Sequence, residues 1–261
     1  MKTIKLLVLV MVLCLANVSN ATLLVHYTLD ETSGTVADDT GVSGNFDGAL
    51  SGGATFVTGG KYGNAASFTS SSASFITVSG DTSALPSDTF DSFTASLWVN
   101  PTSWTSDQVI FCYTINDVRV TLGITGGYLV ARTYDFDAQA ATLSVGAKVS
   151  DLTIPSGWNH LAVVITEGSP TLYLNGTALT GVYGTTYGWN TTADLGVFLG
   201  KRGQSSYKYY TGLIDDFALL GEALTASEVA AIYNSTTAIP EPATIALLMM
   251  GFGVLSLRKK K

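Results

Sequence analysis

Carboxylates and histidines build most hydrolytic sites, and this sequence has few of them in useful patterns. Retaining glycoside hydrolysis needs two carboxyl groups that project into one cleft, as alternate residues of one strand do. No Glu-x-Asp-x-Glu segment occurs, and no two of the glutamates Glu31, Glu167, Glu222 and Glu228 share a predicted strand. No Gly-x-Ser-x-Gly nucleophile elbow occurs either. A His-Ser-Asp triad assembled by folding stays open, but we predict that the chain is not an enzyme.

Exposed aromatic side chains offer a second kind of chemistry, because sugar rings stack their apolar C–H faces on flat side chains. Trp104, Trp189 and Tyr207 lie in surroundings rich in Gly, Ser, Thr and Asn, which are typical of loops. We predict these three as ligand-binding residues. The run from Ser205 to Tyr210 also fits an edge strand with alternate tyrosines buried, and for Tyr209 we favour that interpretation.

The charge of the chain argues against nucleic acid as a partner. The 261 residues carry a formal net charge of −7 at pH 7. Six of the thirteen basic residues lie at the two ends, so residues 22–239 hold seven basic and nineteen acidic residues, a net charge of −12. Nucleic-acid binding draws on basic surfaces that neutralise phosphates. An acidic body is compatible with divalent cations and with neutral polysaccharide.

Short apolar stretches that alternate with period two indicate strands through most of the chain. The predicted strands are Leu23–Leu29, Phe93–Val99, Val109–Ile115, Val118–Ile124, Tyr128–Tyr134, Leu161–Thr166 and Thr171–Leu174. Asn116-Asp117, Gly126-Gly127 and Asn175-Gly176 fit tight hairpin turns, which favour residues that accept positive φ. Successive hairpins imply an antiparallel meander. Many short strands with Gly-rich turns predict an all-β sandwich of two sheets.

One helix is predicted near the end of this pattern. Thr225 and Glu228 have the spacing of a capping box, and Val229, Ile232 and Tyr233 supply an apolar stripe. The helix is expected to pack at an edge of the sandwich. The segment 234–239 has neither periodicity nor bulk, and we predict it as a flexible tether.

The N-terminus has the parts of a secretory signal peptide. Lys2 and Lys5 give it a basic start, the stretch Ile4–Ala16 is apolar, and Ala21 is a small residue that suits cleavage after it. We therefore predict a signal peptide over residues 1–21 and export of the mature chain.

The C-terminus combines three features in a fixed order. The motif Pro240, Glu241 and Pro242 comes first, the apolar run Ala243–Leu257 follows, and Arg258–Lys261 form a basic tail. The apolar run is shorter than the ~20 residues that usually span a bilayer, so its basic flank would snorkel toward the head groups. This arrangement resembles the PEP-CTERM sorting signal of Gram-negative bacteria.

The resemblance implies a route to the outside of the cell. Residues 236–261 would comprise a linker, the motif, a transmembrane helix and the tail, and an exosortase would process the chain at the motif. The protein would be anchored transiently in the inner membrane and then reach the cell surface or extracellular matrix. An ordinary C-terminal membrane anchor is the alternative.

Five segments, in order along the chain, resemble the laminin G-like or concanavalin A-like jelly-roll domains of bacterial surface proteins. They are Val25–Glu31 with Gly34, Gly60–Phe68, Phe93–Pro101, Gly157–Ala162 and Gly212–Phe217. The resemblance places such a domain over residues 22–235, as a jelly-roll sandwich of two antiparallel sheets. The resemblance implies a fold and a ligand-binding role, but it does not specify the ligand.

The resemblance also implies a calcium site, because similar domains often hold Ca2+ at a rim of the sandwich through carboxylate and carbonyl oxygens. The candidate ligands are Asp38, Asp39 and Asp47 in an acidic segment, with Asp215 or Asp216 near the closing strand. The acidic segment is about one residue longer than the family pattern. Aspartates also cap turns through their side chains, so calcium binding and turn capping stand as alternatives.

Together these patterns predict an exported surface or matrix protein whose non-catalytic domain binds extracellular polysaccharide or a surface protein. A purely structural matrix component without a discrete ligand is the alternative. A glycan hydrolase is a third, weaker hypothesis.

Overall fold

Two antiparallel β-sheets form the body of the protein. The computed structural model describes residues 21–41, 46–80, 82–87, 91–115, 118–135, 140–183, 196–203 and 208–239. The strands are β1 (Leu23–Tyr27), β2 (Val36–Ala37), β3 (Gly48–Ser51), β4 (Thr55–Thr58), β5 (Asn64–Phe68), β6 (Phe75–Val78), β7 (Phe93–Pro101), β8 (Gln108–Ile115), β9 (Val118–Thr125), β10 (Tyr128–Asp135), β11 (Ala140–Lys148), β12 (Asn159–Thr166), β13 (Ser169–Leu174), β14 (Thr177–Ala178), β15 (Gly196–Leu199) and β16 (Gly212–Leu220). In the described part of the chain, one α-helix, α1, spans Ala226–Tyr233.

The strand order is that of a two-sheet jelly-roll sandwich, which confirms the predicted fold class. The first sheet runs β14-β13-β12-β7-β16-β5-β4, and β1 also pairs with β16. The second sheet runs β11-β10-β9-β8-β15-β6-β3-β2. All of these pairings are antiparallel.

The predicted strands and two of the predicted hairpin turns are confirmed. Each of the seven predicted strands corresponds to an observed one, with ends that differ by a few residues. Gly126 and Gly127 have φ of +57° and +80°, and Asn175 and Gly176 have φ of +49° and +75°. A two-residue hairpin turn of type I′ requires positive φ at both positions. The turn predicted at Asn116-Asp117 lies outside the described residues.

The main core lies between the two sheets and is filled by alternate residues of the long strands. In β7 these are Phe93, Ala95, Leu97 and Val99, all essentially inaccessible to solvent. Because successive side chains of a strand point to opposite faces, the residues between them line the outer face of the first sheet. Trp98, which is 2% exposed, is one of these outer residues.

Strand β16 contains a β-bulge that places two neighbouring carboxylates on this outer face. Ile214 and Phe217 both belong to the core although three positions separate them. The pairing of β16 with β7 is irregular between Asp215 and Ala218, and Asp216 has φ of +48°. The extra residue in the bulge lets Asp215 and Asp216 both point away from the core.

Helix α1 covers part of the outer face and begins with the predicted capping box. The Thr225 hydroxyl accepts from the Glu228 N–H, and the Thr225 N–H donates to Glu228 Oε2 at 2.7 Å. The helix buries Val229 and Ile232 in a second apolar cluster. The remaining members of that cluster are Ala21, Leu23, Ala162, Val164, Tyr173, Ala218, Leu220, Leu224 and Ile239.

The segment 234–239 is not the flexible tether that we predicted. Ile239 is only 5% exposed and is a member of the second cluster. Its N–H donates to the Asp216 carboxylate. Sequence pattern missed this docking because the segment forms no regular element and is held by residues far away in the chain.

Among the described residues, no helix has the length and apolar character required to cross a membrane. The apolar run after Pro242 lies outside the described residues.

Candidate functional site

A polar cleft opens where the loop between β7 and β8 meets the segment before β16. Its volume is about 460 Å3. Most of the lining residues have hydroxyl, amide or charged side chains; they are Ser70, Thr102, Ser103, Ser106, Asp107, Gln108, Lys208, Tyr209 and Thr211. These residues come from three separate parts of the sequence. The sandwich brings them together because β5, β7 and β16 are neighbours in the first sheet.

An ion pair joins two walls of the cleft. Lys208 Nζ lies 3.0 Å from Asp107 Oδ2, and both side chains are partly exposed. Asp107 Oδ1 also accepts the Gly126 N–H at 2.7 Å. Partial burial acts to raise the pKa of Asp107, but the Gly126 N–H and the Lys208 ammonium outweigh it and hold that pKa below its usual value. Asp107 is therefore a carboxylate, which can accept further hydrogen bonds from a ligand.

Gln108 forms the buried floor between the same walls. It is 3% exposed. Its Nε2 donates to the Ser103 carbonyl at 2.6 Å, and its Oε1 accepts the Thr211 N–H at 3.2 Å. The amide thus fixes the loop between β7 and β8 against the start of β16, so the cleft is built before any ligand arrives.

Tyr209 gives the cleft an aromatic wall. Its ring stacks on Phe75 with centroids 6.5 Å apart. Lys201 Nζ lies 4.1 Å from the Phe75 ring centroid. Tyr209, Phe75 and Lys201 therefore form a row of two aromatic rings and one cation beside the cleft. We predicted a buried edge strand for Tyr209, and that is wrong: residues 208–210 are not in a strand, Tyr209 is half-buried, and Tyr210 is the buried tyrosine.

The three aromatic residues predicted from sequence have different outcomes. Trp104 lies in the loop between β7 and β8, next to the cleft-lining Ser103, but it is half-buried and packs against the main core. Trp189 and Tyr207 lie outside the described residues, so their roles stay predictions. Tyr207 directly precedes the cleft residues Lys208 and Tyr209.

The acidic segment caps its own turn. Asp39 Oδ1 accepts the N–H groups of His26 and Gly41 at 2.9 and 2.8 Å, and Asp39 Oδ2 accepts the Phe46 N–H at 3.1 Å. Asp47 Oδ1 accepts the Asp39 N–H at 3.0 Å. A carboxylate that accepts three backbone N–H groups has few lone pairs left for a metal ion.

Asp215 and Asp216 are held by other partners. Asp215 Oδ2 accepts the Tyr62 N–H at 2.9 Å, and Asp216 Oδ1 lies 2.9 Å from His26 Nε2. Within the described part of the chain, no three His, Cys, Asp or Glu side chains are grouped to hold a metal. The structure therefore does not bring the five predicted ligands, Asp38 among them, together around one point, whereas a calcium ion takes six to eight oxygens. Calcium binding stays a prediction without geometric support.

A group of buried titratable residues surrounds Trp98 on the outer face. Burial, together with the charge of Asp216, raises the pKa of Asp215 to about 7. Burial and the nearby Lys61 ammonium lower the pKa of His160 to about 3. His160 Nε2 lies 2.8 Å from Ser96 Oγ, and the Lys61 ammonium sits 4.0 Å from the Trp98 ring centroid. At neutral pH, His160 is therefore neutral and Asp215 is near its midpoint.

A family model of the concanavalin A-like lectin/glucanases superfamily, of the laminin G type, matches residues 77–230. The chain belongs to this superfamily. The match confirms the resemblance drawn from the five segments. This lectin-like domain is followed by a match to the PEP-CTERM protein-sorting motif over residues 238–261, which indicates export with a sorting step at a membrane. Pro240, Glu241 and Pro242 fall inside that match but outside the described residues.

Solved structures share the fold of this lectin-like domain. One is domain 4 of AbnA, an extracellular GH43 arabinanase from Geobacillus stearothermophilus, in complex with arabinotriose; it is 24% identical with a TM-score of 0.59, covering 83% of this chain and all of that one. The receptor-binding domain of botulinum neurotoxin C/D mosaic serotype is 15% identical with a TM-score of 0.60, covering 82% of this chain and 51% of that one. At these identities the likeness concerns the fold. No curated protein gives a significant match.

A third similar structure belongs to botulinum neurotoxin type C, whose cell entry depends on interaction with two ganglioside molecules. It is 15% identical with a TM-score of 0.59, and the match covers 84% of this chain and 52% of that one. The lectin-like domain thus spans about half the length of the toxin domains it resembles. Its family and sorting motif indicate an exported protein with a domain of the carbohydrate-binding type.

Proposed function

We propose that the protein is an exported surface or matrix component that binds extracellular polysaccharide in the cleft between Thr102–Gln108 and Lys208–Thr211. The observation that carries this proposal is the half-buried ring of Tyr209 beside a cleft lined by hydroxyl, amide and carboxylate groups. A sugar presents the complementary surfaces, an apolar ring face and a rim of hydroxyl groups.

The chemistry of the lining suits a neutral glycan. The hydroxyl groups of Ser103, Ser106 and Thr102 can both donate and accept hydrogen bonds, as a sugar hydroxyl can. Asp107 accepts and Lys208 donates, and hydrogen bonds to ionised groups are the stronger ones. The two charges of this pair offset each other, so the cleft has no excess charge to select an acidic polymer.

Two of the similar structures support a sugar as the kind of ligand. The Geobacillus domain was solved in complex with arabinotriose, and neurotoxin type C interacts with gangliosides. Arabino-oligosaccharides are therefore the first probes to try. Surface proteins of the same matrix are the second candidate class of partner.

A non-catalytic role is consistent with where the glutamates lie. Glu228 caps helix α1, Glu222 accepts the Thr22 N–H at 2.8 Å, and Glu167 forms the turn between β12 and β13. Glu31 accepts the Asp38 N–H at 2.7 Å. Each serves a separate local structure, so these four glutamates supply no pair for glycoside hydrolysis.

The signals at the two ends of the chain define the proposed route of export and sorting. A signal peptide over residues 1–21 directs export, and an exosortase-type enzyme processes the chain near Pro240 while the tail holds it in the inner membrane. The product reaches the cell surface or matrix of a Gram-negative bacterium. The matched sorting motif at residues 238–261 supports this route.

Retention on immobilised glycans tests the function. Purified full-length protein in detergent is applied to a panel that includes arabinotriose, ganglioside head groups and the exopolysaccharide of the producing cells. The proposal predicts retention on at least one polysaccharide without release of reducing ends. Retention on none favours the structural matrix component, and release of reducing ends favours a hydrolase.

A further inference from the structure

The last described residues before the sorting motif are built into the domain. We call residues 234–239 the strap. Its final residue, Ile239, lies in the second apolar cluster beside Val229 and Ile232 of helix α1. The Ile239 N–H donates to Asp216 Oδ1 and Oδ2 at 3.1 and 3.0 Å. A backbone N–H shared by two oxygens of a buried carboxylate is a charge-assisted contact, which is stronger than a neutral one.

The carboxylate that receives Ile239 is itself fixed. Asp216 is 1% exposed and lies in the β16 bulge, where β16 changes its partner from β5 to β1. His26 Nε2 contacts Asp216 Oδ1 at 2.9 Å, and Thr40 Oγ1 lies 2.8 Å from His26 Nδ1. The dock for Ile239, which consists of the Asp216 carboxylate and the second apolar cluster, therefore exists only when β1 and β16 are paired.

Two further contacts hold the strap along its length. The Tyr62 hydroxyl donates to the Ser235 carbonyl at 3.0 Å. Tyr233, which immediately precedes the strap, stacks on Trp98 with ring centroids 5.8 Å apart. Ser235 Oγ donates to the Thr237 carbonyl at 2.8 Å, which makes the middle of the strap a compact turn. The strap is thus attached to the rest of the domain near its start, through Ser235, and at its end, through Ile239.

The strap overlaps the sorting motif. The match to that motif begins at residue 238, so its first two residues belong to the folded domain. Leu23, close to the start of the exported domain, is 3% exposed and lies in the same apolar cluster as Ile239. Both ends of the exported domain therefore meet on one patch of its outer face.

We propose that the folded domain presents the sorting motif from a fixed dock, with Asp216 clamping Ile239, so that processing leaves Ile239 on the domain. The inference rests on the proposed sorting step. Because Ile239 is held in the dock, the chain directly before Pro240 is fixed. The processing enzyme must therefore act beside the outer face of the first sheet and cut on the C-terminal side of Ile239. Hydrolysis there sends the hydroxyl of water to the new carboxylate on the domain and its proton to the new amine on the tail.

Hydrogen exchange of the full-length protein in detergent tests the dock. Exchange at Ile239 is expected to be at least about 100-fold slower than in an unstructured chain, as for a buried bonded amide. Ile239→Ser and Asp216→Asn should each remove most of this protection while β7 amides stay protected. Val182→Ser is the matched control, because Val182 is 87% exposed. Free exchange at Ile239 in the natural sequence overturns the proposal, even if Asp216→Asn fails to fold.

The mass of the protein recovered from its producing cells separates this inference from the sorting proposal. A C-terminus at Ile239 or a few residues beyond supports both. A C-terminus upstream of Ile239 overturns the fixed dock but not the sorting step. An intact Lys261 on the exported protein contradicts the sorting step, and hydrogen exchange still decides whether the dock exists.

Discussion

Lys208 Nζ donates to Asp107 Oδ2 at 3.0 Å, although 101 positions separate the two residues in sequence. The pair ties the segment before β16 to the loop between β7 and β8. The ion pair sets the separation of two walls of the cleft. Its main effect is therefore on the geometry of the cleft, and its effect on the stability of the fold is small.

Replacing Lys208 by Met should affect binding more than stability. Both partners are partly exposed, and exposed pairs contribute about 1 kcal/mol or less to the free energy of unfolding. A lost hydrogen bond from a charged group to a ligand costs about 1.5–3 kcal/mol, or roughly tenfold or more in affinity. Urea unfolding and affinity electrophoresis measure the two effects. Lys148→Met, at an exposed lysine outside the cleft lining, is the control. A large stability loss with unchanged affinity would contradict this role.

The stability of the protein should respond to pH through two buried groups with opposite signs. The folded state raises the pKa of Asp215 from 3.8 to about 7, so this contribution is present below pH 3.8 and is lost as pH rises to about 7. The folded state lowers the pKa of His160 from 6.5 to about 3, so that contribution is present above pH 6.5 and is lost as pH falls. Between about pH 4 and 6.5 the two slopes oppose each other.

The Asp215→Asn substitution should reveal how His160 by itself makes the free energy of unfolding depend on pH. The variant is expected to lose stability on acidification more steeply than the natural protein, by up to about 1.4 kcal/mol per pH unit. Urea unfolding between about pH 4 and 6.5 measures both proteins, and their difference removes the titration of all other groups. Equal pH slopes for the two proteins would show that Asp215 does not keep its proton in the folded state.

Asp39→Ala should destabilise the domain whether or not calcium is present. The substitution leaves three backbone N–H groups without their carboxylate, a loss of about 2–4 kcal/mol. Asp38→Ala is the matched control, because the Asp38 side chain is exposed and only its N–H is bonded to Glu31. Thermal unfolding with CaCl2 and with EDTA gives the measurement. If chelation removed the difference between Asp39→Ala and the natural protein, Asp39 would be a calcium ligand.

The sequence pattern predicted the sheets because their determinants are local. In β7, Phe93, Ala95, Leu97 and Val99 alternate with Thr94, Ser96 and Trp98, and this period of two specifies which side chains face the main core. The turn at Asn175-Gly176 and the capping box at Thr225 are equally local, since residues within a few positions satisfy one another.

The cleft and the strap could not be predicted in the same way. The predicted edge strand would bury Tyr209, but the structure buries Tyr210, one position later. A shift of one residue reverses which side chains are buried. No local pattern decides that shift. The dock for Ile239 depends on the bulge at Asp216, which appears only when β16 must pair with β5, β1 and β7 together.

The most direct test of the proposed function compares the polysaccharide affinity of the natural protein, Tyr209→Ala and Tyr128→Ala. Tyr128 is also half-buried, but it lies on β10 and is not one of the cleft-lining residues. Affinity electrophoresis in gels containing the exopolysaccharide of the producing cells measures all three. The account predicts that Tyr209→Ala weakens binding by about tenfold or more and that Tyr128→Ala leaves it unchanged. Equal retardation of the three proteins, or retardation of none, would contradict binding in this cleft.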